Sequence, residues 1–261
     1  RSTLFPYTTL FRSPYRSRFG YLRTPYPLDA SAEAQADQFE CLLDRLAIGR
    51  IAVVGASAGA NSALQFAIRH PDRTNALVLL VPASYKPTDM PASVPGRSTV
   101  GDWMLMKVVS SDFLFWFASR FAHDTAMQWV LATPIADYEA TEADERRRAD
   151  RLLNQILPIS ARVQGVLNDA RIARDPPRYA LELIHAPTLI YSVRDDLFGT
   201  YASAEYTAER IRGACFVGYE RGGHVWLDHH PEIVDGIAAF VQAIGGEQAN
   251  PPPPQRAVSV E

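Results

Sequence analysis

Cysteine is scarce in this chain: Cys41 and Cys215 are the whole complement of 261 residues, too few for a disulfide framework. One falls on a helix-like stretch and the other in a strand-like run, so both read as packing residues. An excess charge of one sign is missing too. The 26 basic and 29 acidic side chains leave a formal net charge of -3, and with no basic surplus nothing points to nucleic acid. No apolar run approaches the roughly 18 residues of a membrane span. What is present is 47% hydrophobic and 21% charged residues, in a chain long enough to bury one sizeable core with or without a smaller appended block. This composition predicts a soluble, cytoplasmic protein.

Helix and strand patterns alternate along the chain, which predicts a parallel sheet with crossover helices. Ser31 to Leu46 is helical in pattern, with Phe39, Leu42, Leu43 and Leu46 at i, i+3, i+4 and i+7. The run Ile51-Ala52-Val53-Val54 reads as a strand, Ala60 to His70 as a helix and Ala76 to Val81 as a second strand. Between the first strand and the helix lies Gly55-Ala56-Ser57-Ala58-Gly59. A serine at the apex of such a strand-to-helix turn takes an unusual backbone conformation, and small neighbours let strand and helix pack closely beside it. Ser57 is therefore a candidate nucleophile, although Gly-x-Ser-x-Gly alone recurs in many loops.

Further along, Pro187 to Ser192 reads as a buried strand running into Val193-Arg194-Asp195-Asp196, an acidic turn well placed to orient a base. The short apolar run Ala214 to Tyr219 leads to Glu220-Arg221-Gly222-Gly223-His224, a histidine in a glycine-flanked loop. The chain order is serine, acid, histidine, which differs from the orders of the two large serine protease classes. Of the other histidines, His70 ends a helix, where it can meet the carbonyl dipole. His123 and His185 have no supporting partner spacing. His224, His229 and His230 lack the Cys or carboxylate set that a metal site would need, so no metal is expected.

With these landmarks in order, the chain resembles the α/β-hydrolase fold proteins of the lidded esterase and carbon–carbon bond hydrolase type, from about Ser17 to about Ile244. The carriers are the Gly55 to Gly59 elbow, His70-Pro71-Asp72-Arg73 at the end of the following helix, the Val193 to Asp196 turn and the Gly222-Gly223-His224 loop. The resemblance implies an α/β fold, a mostly parallel sheet with a helical lid. It implies that Ser57 attacks an acyl carbon, His224 takes and returns the proton, and Asp196 orients the histidine. Asp195 is the alternative acid: the family acid usually lies three residues after a glycine, a place held here by Val193. The Ala58 N–H is the expected oxyanion donor, and no cofactor is implied. The expected substrate is a small hydrophobic ester or similar acyl compound. Cleavage of a carbon–carbon bond in a ring-fission product by the same triad is the alternative chemistry, and a non-catalytic truncated fragment is the alternative of another class.

Residues 1–13 resemble the in-frame translation of a widely used DNA-sequencing adapter and are expected to be an artefact. A transit peptide is the rival reading, since no acid precedes Asp29 while Arg1, Arg12, Arg16, Arg18 and Arg23 do. Ser17 to Thr24 resembles the loop after the family's fourth strand, so the first strands, and a second oxyanion donor with them, are expected to be missing. The resulting division is 14–83 for the first part of the core, 84–186 for the lid, 187–245 for the second part of the core, and 246–261 for a disordered tail around Pro251 to Pro254. Within the lid, Thr141-Glu142-Ala143-Asp144 approximates a capping box opening a helix. Arg146, Arg147, Arg148 and Arg151 read as a solvated face. The aromatics Phe113, Phe115, Trp116, Phe117 and Phe121, with Trp103, Met104 and Met106, read either as lid core or as an apolar substrate pocket.

Overall fold

The computed structural model describes residues 17–87 and 107–249. The adapter-like residues 1–13, Trp103, Met104, Met106 and the proline run lie outside them. Helix α1 (Ala32–Arg45) begins where the Ser31 side chain accepts a hydrogen bond from the Ala34 N–H at 3.1 Å. It packs on α2 (Gly59–Arg69) through Ala36 and Leu43 against Phe66, whereas Leu46, expected on the apolar face, caps the helix and is exposed.

Strands β1 (Ile51–Ala56), β2 (Thr74–Leu80), β3 (Thr188–Val193) and β4 (Cys215–Tyr219) form one parallel sheet in that order. Strand β3 is buried along its whole length and β2 nearly so, which explains their near-continuous apolar runs: helices cover both faces of a parallel sheet. On one face Leu77, Leu79 and Ile190 meet Ala60, Ala63 and Leu64 of α2 and Ala204 of α8 (Thr200–Arg210). On the other, Val78, Leu80 and Leu189 meet Ile233 and Ile237 of α9 (His230–Ala249). Each fully buried Leu, Ile or Val of this kind contributes about 1.5–3 kcal/mol. Helix α9 runs past the expected end of the core at 245. Both cysteines are exposed, so neither is the packing residue expected of it.

Between β2 and β3 the described residues form helices, as the loss of strand patterning predicts: α3 (Asp112–Phe121), α4 (His123–Val130), α5 (Ile135–Ala140), α6 (Ala143–Asn154) and α7 (Val163–Arg174). Their own core gathers Phe115, Met127, Leu131 and Leu153, and it continues into Val225 and Leu227 of the histidine loop. Two expectations fail in α6. Glu142, without a side-chain cap bond, stands at its start, and the Thr141 hydroxyl donates to Asp228 instead, so there is no capping box. Arg148 is buried rather than solvated: it pairs with Glu145 and donates to the Val225 carbonyl at 2.7 Å, because that loop offers carbonyls no helix or sheet satisfies. Among the described residues of the aromatic group, Phe115 alone is core, while Phe113, Trp116, Phe117 and Phe121 stand exposed as a cluster of touching rings.

Arg18 anchors the segment before α1 to the inserted helices. Both its terminal nitrogens bind the Asp169 carboxylate of α7 at 2.5 Å, and Tyr21 donates to the same group. Gly165 lets Tyr21 lie against α7, since a Cβ at that glycine would stand 2.1 Å from the ring.

Candidate active site

Ser57 follows the end of β1 with φ +50°, a left-handed conformation that L residues seldom adopt and that needs support from around it. The surrounding backbone supplies that support. The Ser57 N–H donates to the Leu80 carbonyl at 2.9 Å, and its carbonyl accepts from Ala60 at 3.0 Å and Ala83 at 3.1 Å. The turn is thereby tied to the end of β2. Asn61, buried in the first turn of α2, adds a side-chain bond to the Ala83 carbonyl at 2.9 Å. The first glycine of the pentapeptide is sterically required: a Cβ on Gly55 would stand 2.6 Å from the Ala63 Cβ. The second is not, since the nearest atom to a Cβ on Gly59 is the Arg18 Nε at 3.9 Å. Ala58 caps α2, and no hydrogen bond among the described residues occupies its N–H, which leaves the positive end of the helix free at this point.

Asp196 and His224 come together from the turns after β3 and β4. His224 Nδ1 lies 2.7 Å from Asp196 Oδ2, and the two residues are 9% and 1% exposed. The carboxylate accepts, so Nδ1 carries the proton and Nε2 is left with its lone pair. Two further donors hold Asp196: the Phe198 N–H at 2.8 Å and the Thr200 hydroxyl. The Phe198 ring meets the imidazole edge to face at 4.9 Å. Between Asp195 and Asp196, the structure thus puts Asp196 on the histidine. Asp195 turns instead to the histidine loop, accepting from Gly223 N–H at 2.8 Å and Gly222 N–H at 3.3 Å. No hydrogen bond among the described residues joins Ser57 to His224.

The inserted helices contribute what sequence reasoning missed. The Ala132 carbonyl accepts from Leu197 of the acid turn at 3.0 Å and from His224 itself at 3.4 Å. Thr133 lies so near Gly223, a position with φ +62°, that a Cβ there would stand 2.7 Å away. Asp137 of α5 is buried and receives Arg221 at 2.7 Å. Burial, and then the neighbouring Asp137 carboxyl, push the Asp195 carboxyl up to about 6, against the two glycine N–H groups that favour its charge. Thr200 was findable as a hydroxyl one helical turn after the acid, whereas nothing local marks Ala132 or Asp137.

Four of the other histidines have separate partners. His70 Nε2 meets Asp37 at 2.9 Å at the end of α2, and His123 meets Asp150 at the same distance. His229 Nε2 lies 3.0 Å from the Arg221 carbonyl, and His230 accepts from the Trp226 indole. Among the described residues, no group of three or more His, Cys, Asp or Glu could hold a metal ion. A surface hollow of about 500 Å3 is lined by Asp112, Phe113, Trp116, Leu157 and Pro158, and so shares no residue with Ser57, Asp196 or His224.

A family model described as the alpha/beta hydrolase fold matches residues 13–231. A curated relative, "Putative carbamate hydrolase RutD" of Caulobacter sp. (strain K31), is 26% identical over 217 residues, 83% of this chain and 73% of that protein. Among solved structures, an alpha/beta hydrolase fold protein from Nakamurella multipartita is similar at TM-score 0.60 and 23% identity, over 88% of this chain and 81% of its own. The esterase EaEST from Exiguobacterium antarcticum is similar at TM-score 0.56 and 19% identity, over 85% and 78%. The chain belongs to the alpha/beta hydrolase fold family and is an enzyme of the hydrolase kind.

Proposed function

We propose that this hydrolase cleaves a carboxylic ester or similar acyl bond through Ser57, His224 and Asp196, by way of an acyl-enzyme. The observation that carries the reading is the buried Asp196–His224 pair at 2.7 Å, which fixes the imidazole tautomer and leaves Nε2 as the base. In the proposed reaction Nε2 takes the Ser57 proton as Oγ adds to the acyl carbon. Asp196 balances the imidazolium, held in place by Phe198 N–H and Thr200. The developing oxyanion lies at the Ala58 N–H, at the amino end of α2, where the helix dipole favours negative charge. The imidazolium then protonates the leaving group, and water enters by the same steps in reverse.

The helices between β2 and β3 act as the lid in this reading, supported by their direct contacts with the histidine loop at Ala132, Thr133 and Arg148. The substrate class is a small acyl compound with an apolar part. A carbamate, as in the name of the curated relative, falls within it.

Labelling of the purified protein by a fluorophosphonate tests the reading, with Ser57→Ala as control and mass mapping of the adduct. Adduct on Ser57 that vanishes in the variant is the expected result. Labelling of another residue, or none, overturns the assignment.

A further inference from the structure

After His224 the chain turns back on itself through awkward backbone. Trp226 and Asp228 both have positive φ, at +45° and +66°, a conformation uncommon outside glycine that persists only where the surroundings over-determine it. Within the loop, Trp226 N–H donates to the Gly223 carbonyl at 3.1 Å and Leu227 N–H to the Gly222 carbonyl at 2.8 Å. Those bonds set the loop's shape but not its place. Val225 and Leu227 pack into the core of the inserted helices, yet apolar packing is non-directional. Direction comes from three side chains of the inserted block that hydrogen-bond to residues 225–228, namely Arg148, Glu145 and Thr141.

We infer that Arg148, held by Glu145, is a positioning residue for His224: its guanidinium fixes the backbone just after the base to helix α6. Arg148 is 8% exposed. Its Nε lies 3.1 and 2.9 Å from the two Glu145 carboxylate oxygens, and Nη2 donates to the same carboxylate at 2.8 Å. Gripped at two nitrogens, the planar guanidinium cannot turn. The second N–H of Nη2 is thereby aimed at the Val225 carbonyl, which accepts from it at 2.7 Å. Val225 is the residue that follows His224. The Trp226 carbonyl lies 3.5 Å from the same nitrogen but takes a shorter bond from the His229 N–H at 3.1 Å, so Val225 is the main hold. Glu145 adds a second tie by accepting from the Asp228 N–H at 3.3 Å.

Glu145 and Arg148 stand three residues apart on one turn of α6, so the clamp is a rigid part of that helix. A shift of α6 carries the Val225 carbonyl with it, and the imidazole one residue earlier. Asp196 does not move with them, because it belongs to the turn after β3. The seating of α6 therefore sets how squarely His224 meets Asp196 across their 2.7 Å bond. Arg148 acts on the base through the backbone and has no hydrogen bond to the side chain of either residue, which makes it a positioning residue. The inference rests on His224 being the base of the proposed reaction.

The test compares Arg148→Met, which keeps the apolar stem and loses the fork, with Leu43→Ala, which opens the separate core between α1 and α2. Two readouts are taken at a temperature where both variants are folded. One is the rate of fluorophosphonate labelling at Ser57. The other is the proton NMR signal of the His224 Nδ1–H, displaced downfield by its bond to Asp196 and identified by its loss in His224→Ala. Arg148→Met should label about 100-fold more slowly than wild type, the scale of a 1 Å displacement of a reacting group, and should shift or broaden the signal. Leu43→Ala should melt earlier yet label within about threefold of wild type, with the signal unmoved. An Arg148→Met rate within about threefold of the Leu43→Ala rate reduces Arg148 to a stabilising residue and overturns the inference. If Arg148→Met does not fold, Arg148→Lys takes its place under the same bound, since a lysine cannot hold Glu145 in a fork while reaching Val225. Wild type that does not label defeats the proposed function instead, and the NMR signal then decides alone: unmoved in the Arg148 variant, it overturns the inference.

Discussion

The two halves of the candidate site are held by different means. Asp196 and His224 are buried between the sheet and the inserted helices, and side chains and backbone groups share the holding: Thr200 and the Phe198 N–H on the acid, the Ala132 carbonyl on the histidine, Asp195 on its loop. Ser57 stands half-exposed after β1, the edge strand of the described sheet, where Val54 is 44% exposed. Its backbone alone is fastened, to Leu80, Ala60 and Ala83, and no hydrogen bond among the described residues engages its hydroxyl. The proposed base and acid are thus held in place before substrate arrives, while the proposed nucleophile is set only in its backbone. Apo serine–base contacts are commonly long and tighten in the substrate complex, so the arrangement suits the proposed mechanism.

The sharpest way to break this comparison is at the oxygen itself. Ser57→Ala removes one atom from the loosely held half and should lower turnover by on the order of a million-fold, with melting unchanged. Retention of most activity would show that the nucleophile lies elsewhere. On the tightly held half, Asp196→Asn keeps the shape but offers the wrong hydrogen-bond pattern to Nδ1, and kcat should fall about 10,000-fold. Asp195→Asn should cost far less. A reversed ranking would mean that the hydrogen bond between Asp196 and His224 does not orient the base.

Much of the tightly held half was legible as a list of residues but not as a structure. The places of Ser57, of the Asp195–Asp196 turn and of His224 could be read because strand-to-turn boundaries are local, set by apolar runs such as Thr188–Val193 that end in polar residues, while the choice of Asp196 came from the family resemblance. The parallel sheet followed from the same alternation. What could not be read was everything that depends on the inserted helices folding back. Arg148 looks solvated among its neighbours Arg146 and Arg147 until the histidine loop brings the Val225 and Trp226 carbonyls to it. Thr141 fits a capping box, yet its hydroxyl goes to Asp228, 87 positions away. Asp137 has no local signal at all, because its partner Arg221 comes from another element. The exposed aromatic cluster on α3 failed in the opposite sense: a helical stripe of large apolar residues predicts core, and here Phe115 alone found one.

Thr200→Val sharpens the comparison by loosening the acid alone. A hydrogen bond to a charged group is worth about 1.5–3 kcal/mol, so kcat should fall roughly tenfold to a hundredfold with KM unchanged. A rise in KM instead would place Thr200 in substrate binding. Steady-state kinetics on any ester substrate that wild type accepts separates the two.

The smallest effects belong to the two glycines around Ser57, which should respond with opposite signs. Gly55→Ala puts a Cβ 2.6 Å from the Ala63 Cβ and 3.0 Å from the Ala60 Cα, both on the first turns of α2. Strand and helix must separate, costing about 1–3 kcal/mol of stability and displacing Ser57 with the turn. Gly59→Ala meets nothing closer than 3.9 Å, at the end of the Arg18 side chain, on a residue that is already helical. It should stabilise the protein by about 0.4–1 kcal/mol, because alanine has less backbone freedom to lose on folding. Urea denaturation of both variants is the measurement. If Gly59→Ala also destabilises, the space beside α2 is taken up by the Arg18 segment more closely than 3.9 Å, and the nucleophile's half is packed more tightly than its exposure indicates.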